Sequence, residues 1–247
     1  MTENIFTQTH TVSGMHLDRH GRLKPSALLF FAQSAAEAHC TDLSLDWDTL
    51  DKQNLFWAVV RHKVQITRLP TLGETVTVKT WPMPTTRSAF PRATAGYDEK
   101  GNELFRCISL WILMDKNTRS MVLPGKSGVH LDGLLTGSEL SVPSSLMPRP
   151  MEHTAHRQVG YTELDRNGHM NNTRYLDWVC DLLPSAFHKN HPAREFTVCY
   201  LSEAKETEEV HLHWQLWDGP CLTVEGVRQE DKNDAKPERV FAVQVQF

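Results

Sequence analysis

Residues 1–120 contain one helix-like stretch followed by several strand-like stretches. Pro25 suits a first helical turn, and the SALLFFAQSAAEAHC that follows is rich in Ala and Leu without a helix breaker. Apolar side chains occupy much of its circumference, which predicts burial on several sides. Strand-like sequence begins at Phe56, residues 75–81 alternate as a half-buried strand does, and residues 104–114 follow a turn at 98–102.

The second half of the chain repeats this order. A helix is predicted from about Thr173 to Leu183, and residues 210–216 alternate between polar and apolar types. Asp218-Gly219 predicts a turn, and Val240–Phe247 a final strand. The same succession of helix and strands therefore occurs twice.

Two colinear matches support a duplication. Residues 17–23 (LDRHGRL) match residues 164–170 (LDRNGHM) at an offset of 147, and residues 64–76 match residues 198–210 at an offset of 134. The period is too long for a solenoid and indicates two fused domains. We predict domains at 1–123 and 151–247, joined by a Pro-, Gly- and Ser-rich linker at 124–150. A buried helix followed by an antiparallel sheet, present twice, predicts an α+β tandem double hotdog.

Composition and charge narrow the class of protein. The 247 residues are 40% hydrophobic and 23% charged, as in globular proteins, and the net charge of −4 gives no general attraction to nucleic acid. No stretch predicts a membrane span or a signal peptide, so we expect no membrane association. Five dispersed cysteines predict reduced thiols and a cytoplasmic location. No nucleotide-binding or serine-hydrolase motif occurs, and no cofactor is expected.

The two halves differ where chemistry is expected. Asp165, Asn167 and His169 follow one another at every second position, so an extended segment would project all three side chains from one side. The first half has Asp18, His20 and Arg22 there. Such a trio suits the addition of water to a carbonyl: imidazole accepts the proton, carboxylate orients the imidazole, and amide N–H holds the oxyanion.

On spacing alone, structural roles explain the same residues better than a site does. Asp165 and Asn167 are also typical turn residues beside a glycine, and Asn171 or Asn172 is a good helix N-cap. Two histidine pairs, His153 with His156 and His211 with His213, have spacings that could bind zinc. Neither pair is accompanied by cysteines or clustered carboxylates, so we expect no metal site and place His211 and His213 on the polar face of a strand.

Several motifs resemble the acyl-acyl-carrier-protein thioesterase family, in its bacterial type and in the related plant plastid enzymes. The similarity runs in order through the chain. Its motifs are residues 54–61 (NLFWAVVR), similar to N-x-x-W-V-V-x-R; 69–76 (LPTLGETV), similar to P-x-x-G-E-x-V; 109–119 (SLWILMDKNTR), similar to W-x-x-M-x-x-x-T-R; and 165–172 (DRNGHMNN), which matches D-x-N-x-H-V-N-N.

This resemblance implies that the second hotdog domain is catalytic and that the first holds the acyl chain. By the same resemblance, the catalytic residues are expected to include Asp165, Asn167 and His169. Residues 200–204 (YLSEA) resemble the family's Y-R-R-E-C, which adds Glu203 as a catalytic carboxylate. Ala204 stands where many relatives have cysteine, so no thiol nucleophile is available there. For substrate binding we select two aromatic residues of the predicted helix and two residues of the first motif: Phe30, Phe31, Asn54 and Trp57.

The expected activity is hydrolysis of an acyl thioester, preferably on an acyl carrier protein, by an activated water. Either His169 or Glu203 takes the proton from water, and a carboxylate nucleophile also remains open. An acidic carrier would dock on basic residues of the first half, for which we select Arg61, Lys63, Arg68, Arg87 and Arg92. An acyl-CoA thioesterase, a hydratase, and an acyl-binding sensor without catalysis remain alternatives, as do a monomer and a homodimer.

Overall fold

The computed structural model describes residues 4–135, 140–228 and 237–247 of the protein. The chain divides into two compact units, Met1–Pro143 (unit 1) and Ser144–Phe247 (unit 2). Each unit combines one antiparallel sheet with helices, so the succession of elements predicted from the sequence is present in both.

Unit 1 is built on a five-stranded antiparallel sheet in the order β1-β3-β4-β5-β2, and a short sixth strand pairs with β5. The strands are β1 (Phe6–Thr11), β2 (Leu55–Ile66), β3 (Thr75–Pro82), β4 (Phe90–Tyr97), β5 (Glu103–Asp115) and β6 (Met121–Val122). The helices are α1 (Pro25–Asp42), α2 (Trp47–Asp51) and α3 (Pro124–Ser127).

Helix α1 packs against the sheet of unit 1. It begins at Pro25, as predicted, because proline needs no hydrogen-bond partner for its nitrogen in the first turn. Most of its apolar side chains are buried: Ala27, Leu28, Leu29, Phe31, Ala32, Ala35 and Ala36. Phe30 is the exception at 51% exposure. Burial therefore covers one broad side of the helix rather than its whole apolar circumference.

Unit 2 repeats the strand order of unit 1 as β7-β9-β10-β11-β8, again with antiparallel pairing throughout. Its elements are β7 (His153–Gln158), α4 (Arg174–Cys180), α5 (Ser185–Asn190), β8 (Glu195–Tyr200), β9 (Glu209–Trp217), β10 (Cys221–Arg228) and β11 (Glu238–Gln246). The predicted strands at 210–216 and 240–247 correspond to β9 and β11.

The helix of unit 2 is shorter than predicted. It ends at Cys180 rather than near Leu183, and α5 begins at Ser185. Pro184 separates the two helices, because proline disfavours helical geometry in the residue before it. At the start of α4 the N-cap position is Thr173, and the side chain of Asn171 accepts a hydrogen bond from the Thr173 N–H at 3.0 Å.

One close approach recurs in both sheets and defines equivalent positions. Gly96 lies opposite Phe105, and Gly226 lies opposite Phe241. A Cβ atom at either glycine would overlap the facing phenylalanine ring. Both glycines are also followed by a shift in strand register. The two sheets can therefore be compared residue by residue from these pairs.

Part of segment 124–150, which the composition predicts as a linker, folds against unit 1. Residues Pro124–Ser127 form α3, and Val129 is buried in a cluster with Leu50 and Leu113. Leu140 packs with Trp81 and Ile108 in a second cluster. The boundary between the units falls later, at Pro143.

Candidate active site

The segment from Leu164 to Met170 is a tight turn. The Asp165 N–H donates to the carbonyl of His169 at 2.8 Å, and the Gly168 N–H donates to the carbonyl of Asp165 at 3.0 Å. Gly168 has φ +76°, a left-handed conformation that glycine adopts without strain. The extended arrangement considered for Asp165, Asn167 and His169 is therefore wrong, and the alternative of a turn beside Gly168 is confirmed.

The Asp165 carboxylate forms hydrogen bonds within this turn. Its Oδ1 accepts the N–H of Asn167 at 2.8 Å and the N–H of His169 at 3.3 Å. A carboxylate that accepts two backbone N–H groups stabilises the turn that presents His169. Asn167 lies at the exposed tip of the turn. Asp165 thus acts on the backbone of His169 rather than on its imidazole.

The structure brings His169 together with Glu203. The His169 Nε2 lies 3.3 Å from Glu203 Oε2, and the two side chains are 18% and 41% exposed. Backbone contacts between the two loops hold this distance: Met170 N–H donates to the carbonyl of Ala204 at 2.8 Å, and His169 forms a β-bridge with Lys205. The half-buried imidazole therefore faces a carboxylate that solvent can reach.

The loop that carries Glu203 is fastened by Arg228 at the end of β10. The Arg228 guanidinium donates to the Glu203 carbonyl at 3.2 Å and to Ser202 Oγ at 3.2 Å. It also forms ion pairs with Glu208 and Glu238. Hydrogen bonds from Ser202 and Arg228 lower the pKa of Glu238, so this carboxylate stays charged. Sequence reasoning did not identify Arg228, because no motif surrounds it.

Tyr175 on α4 contacts the loop that carries Glu203. Its side chain is almost fully buried, and its hydroxyl is hydrogen-bonded to the backbone of Ala204. Burial raises the pKa of the phenol, so the hydroxyl keeps its proton at physiological pH. Its ring packs edge-on against Phe241 at 4.8 Å and Tyr200 at 5.5 Å. Sequence reasoning missed Tyr175 too, since one tyrosine on an apolar helix resembles ordinary core.

Three of the four residues selected for substrate binding have packing or turn roles in unit 1. Phe31 is fully buried and stacks on His10 at 4.3 Å, whereas Phe30 is largely exposed. Asn54 has φ +57° just before β2, a conformation that asparagine tolerates. Trp57 packs edge-on against Phe90 at 5.0 Å and donates to the Leu45 carbonyl. Their contact with substrate stays a prediction.

Several of the basic residues selected for docking the carrier protein are buried or make contacts within unit 1. Arg92 is buried at 5% exposure, so its selection as a surface docking residue is wrong. Arg68 donates to both carboxylate oxygens of Glu74 at 2.8 Å, which compensates its charge. Arg61 donates to the carbonyl of Pro143 at 3.3 Å. Arg87 is exposed.

The histidines of β7 and β9 lie side by side. His156 pairs with His211 across the strands, with ring centroids 4.4 Å apart. His211 and His213 are half-buried and alternate with the buried Val210 and Leu212, as predicted for one face of a strand. Within the described parts of the chain, no group of three potential metal-binding side chains occurs.

The chain matches two family models that together cover most of its length. Residues 3–123 match the N-terminal domain of acyl-ACP thioesterases, and residues 149–241 match their C-terminal domain. The chain belongs to the acyl-ACP thioesterase family. The resemblance noted in the motifs is thereby confirmed.

Two plant enzymes are among the curated relatives of the chain. The chain is 30% identical over 217 residues to a dodecanoyl-[acyl-carrier-protein] hydrolase of Umbellularia californica, covering 81% of this chain and 56% of the relative. It is 26% identical over 214 residues to a palmitoyl-acyl carrier protein thioesterase of Gossypium hirsutum, covering 81% and 52%. The chain thus spans about half the length of these relatives.

Solved structures confirm the predicted α+β tandem hotdog architecture. An acyl-ACP thioesterase from Bacteroides thetaiotaomicron superposes with a TM-score of 0.88 at 24% identity, covering 98% of this chain and 97% of that one. The 12:0-ACP thioesterase from Umbellularia californica gives a TM-score of 0.83 at 21% identity, covering 100% and 98%. In the part of this chain that the structure describes, no helix is both long and apolar enough to cross a bilayer.

Proposed function

We propose that the protein hydrolyses a fatty-acyl thioester of an acyl carrier protein, releasing a free fatty acid and the carrier thiol. Unit 2 performs the hydrolysis, and unit 1 holds the acyl chain. The observation that carries this proposal is the pairing of His169 with Glu203 at 3.3 Å on two loops of unit 2. Membership of the family and the names of the relatives indicate the thioester class.

The geometry supports His169 as the general base. A carboxylate only accepts hydrogen bonds, so the neutral imidazole donates its Nε2–H to Glu203 and keeps Nδ1 free to accept a proton. Water attacks the thioester carbonyl carbon and gives its proton to His169 Nδ1. Glu203 stabilises the imidazolium that forms, and the collapsing intermediate expels the thiolate, which takes the proton back.

The other two residues of the motif serve this step differently. Asn167 at the tip of the turn supplies an amide N–H for the oxyanion, where one donor is typically worth about 3–4 kcal/mol of barrier. Asp165 serves as a positioning residue in this scheme, because its carboxylate accepts the backbone N–H of His169. No thiol takes part, since Ala204 occupies the place of the family's cysteine.

We further propose a cytoplasmic site of action with an acyl carrier protein as partner. None of the five cysteines, all of which lie in described parts of the chain, forms a disulfide, which is typical of a reducing compartment. The protein has no cofactor in this scheme, because water, imidazole and carboxylate suffice for the hydrolysis.

Release of free thiol tests the proposal directly. The purified full chain is mixed with dodecanoyl thioesters of acyl carrier protein and of coenzyme A, and thiol is measured over time. We expect turnover with the carrier thioester and a higher kcat/KM than with coenzyme A. A wild-type protein that binds the thioesters without releasing thiol would instead be an acyl-binding protein, and equal or better use of coenzyme A would assign the alternative substrate.

Two variants at equivalent positions make the assay specific for the site. His169→Ala is expected to lower kcat at least about 100-fold, because it removes the base. Arg22→Ala changes the corresponding position of unit 1 and is expected to keep the wild-type kcat. Wild-type turnover by His169→Ala would remove the assignment of the base.

A further inference from the structure

Six buried polar side chains of unit 1 lie between α1 and the inner face of the sheet. Neighbouring strands bring them together, since Thr80 pairs with Thr94, and Ser109 pairs with both Arg92 and His62. Arg92 reaches α1 through a 2.9 Å contact between its Nη1 and His39 Nδ1. We call this set the inner polar cluster; its members are His39, His62, Thr80, Arg92, Thr94 and Ser109.

Unit 2 shows that the fold does not require polar residues at these places. Arg92 lies four residues before Gly96, and Leu222 lies four residues before the equivalent Gly226. The same counting gives three more counterparts. Val224 corresponds to Thr94, two residues before the glycine, and Val245 corresponds to Ser109, four residues after the facing phenylalanine. Phe196, which pairs with Val245, corresponds to His62, which pairs with Ser109. All four counterparts are buried and apolar. At these four positions the polarity is thus found in unit 1 and not in unit 2.

Arg92 is the least expected member, because it is a buried cation that faces only neutral groups. Its contacts are His39 Nδ1 at 2.9 Å, Thr80 Oγ1 at 3.4 Å and Cys40 Sγ at 3.9 Å. No carboxylate of the described residues pairs with it. Burial and the adjacent guanidinium lower the pKa of His39 to about 4, so this imidazole is a neutral acceptor at pH 7. A buried charge without a counter-ion is costly to fold around.

We infer that unit 1 accepts acyl chains that carry an oxygen function, which binds the inner polar cluster through Arg92. The guanidinium donates to the oxygen, and the Ser109 hydroxyl adds a second donor, whereas the hydroxyls of Thr80 and Thr94 are used by the Ala93 carbonyl and by each other. A carboxylate at the far end of the chain is the strongest ligand of this kind, because it also supplies the missing counter-charge. This inference rests on the proposed function, in which unit 1 holds the acyl chain.

Substrate series of equal chain length test the inference. The full-length protein is assayed with carrier-protein thioesters of saturated, ω-hydroxy and ω-carboxy acyl groups of 8, 10 and 12 carbons. We expect wild type to prefer an oxygenated chain over the saturated one at least about tenfold in kcat/KM at one length, with the carboxylate the strongest, as for hydrogen bonds to charged groups.

Arg92→Leu installs the residue that unit 2 has at the equivalent position. It is expected to lower kcat/KM for the preferred oxygenated chain at least tenfold and to raise it for the saturated chain, thereby inverting the preference. Arg92→Lys keeps the charge and is expected to retain part of the preference for the carboxylate. Lys100→Leu, which removes an exposed cation in the turn between β4 and β5, is expected to leave the ratio unchanged.

Two results would overturn the inference. One is a wild-type preference for the saturated chain at every length. The other is an equal loss on all substrates in Arg92→Leu together with a lower unfolding temperature, which would show a purely structural arginine. If no substrate releases thiol, the proposed function fails, and calorimetric titration with dodecanedioate and dodecanoate decides the inference separately: tighter binding of dodecanedioate that Arg92→Leu abolishes supports it, and equal binding refutes it.

Discussion

The turn at Asp18 in unit 1 and the turn at Asp165 in unit 2 have the same hydrogen bonds but different neighbours. Asp18 Oδ1 accepts the N–H groups of His20 at 2.7 Å and Arg22 at 3.0 Å, as Asp165 does for its own turn. In unit 1 the last turn residue, Arg22, pairs back with Asp18 at 3.4 Å. In unit 2 that position is His169, which faces Glu203.

The loop opposite each turn is also conserved in geometry between the units. Glu74 accepts the N–H of Thr71 at 3.0 Å, and Glu208 accepts the N–H of Lys205 at 3.1 Å. An isolated β-bridge joins each loop to its turn: Arg22 pairs with Thr71 in unit 1, and His169 pairs with Lys205 in unit 2. Two residues before these loop positions stand Leu69 in unit 1 and Glu203 in unit 2, so Leu69 occupies the position of Glu203. The comparison shows that the backbone is a shared scaffold, and that positions 169 and 203 distinguish the unit proposed to be catalytic.

Among the variants that test this difference between the units, Glu203→Gln is expected to cause the largest loss of activity. The amide keeps the size of the side chain but cannot stabilise an imidazolium, so kcat should fall about 100-fold or more while KM changes little. Thiol release and the pH profile of kcat are the measurements. The matched control is Glu206→Gln, an exposed acid in the same loop. Equal losses in both variants would mean that loop charge, and not the pair with His169, supports activity.

A second difference between the units predicts sensitivity of unit 1 to acid. Burial lowers the pKa of His62 to about 3, and burial together with Arg92 lowers the pKa of His39 to about 4. Below pH 6.5 the unfolded chain therefore binds protons that the folded chain does not, and stability falls as the pH falls. Between pH 6.5 and 5, each histidine should lower the free energy of unfolding by about 1.4 kcal/mol for each unit by which the pH falls.

Urea unfolding at several pH values measures this slope. His62→Leu is expected to remove the contribution of one histidine and to flatten the dependence on pH by about 1.4 kcal/mol per unit. The control, His130→Leu, changes a side chain that is exposed in the folded protein. An unchanged slope in His62→Leu would contradict a neutral buried imidazole at this position.

The close approaches in the two sheets test whether the cores are built alike. Gly96→Ala and Gly226→Ala each force a methyl group into a phenylalanine ring, so each should lower the free energy of unfolding by about 1–3 kcal/mol. Urea unfolding is the measurement. Gly14→Ala, where the added methyl meets no atom within 4 Å, provides the control. A loss in only one of the two units would show that their sheets relax differently.

Much of the fold was visible in the sequence because its signals are local. Pro25, the alternating strands and the two colinear matches gave the tandem arrangement, and Gly168 was the signal for a turn at Asp165. Glu203 lies far along the chain from His169, so only the family resemblance linked them. Charge alone suggested that Arg92 is exposed, but β4 is buried on both faces. Tyr175 and Arg228 act through a loop distant in sequence, which no local pattern could show.

The equivalent turns at Asp18 and Asp165 allow a test whose expected effects are the smallest but whose outcome is the most selective. Asp18→Ala and Asp165→Ala each remove the acceptor of two backbone N–H groups, so each should lower the free energy of unfolding by about 1–2 kcal/mol. Only Asp165→Ala should also reduce thiol release, by about tenfold or more, because the turn it stabilises positions His169. Urea unfolding and kcat, measured on the same preparations, separate the two effects. If Asp18→Ala reduced kcat as strongly as Asp165→Ala, the turn of unit 1 would share in catalysis and the division of roles between the units would be wrong.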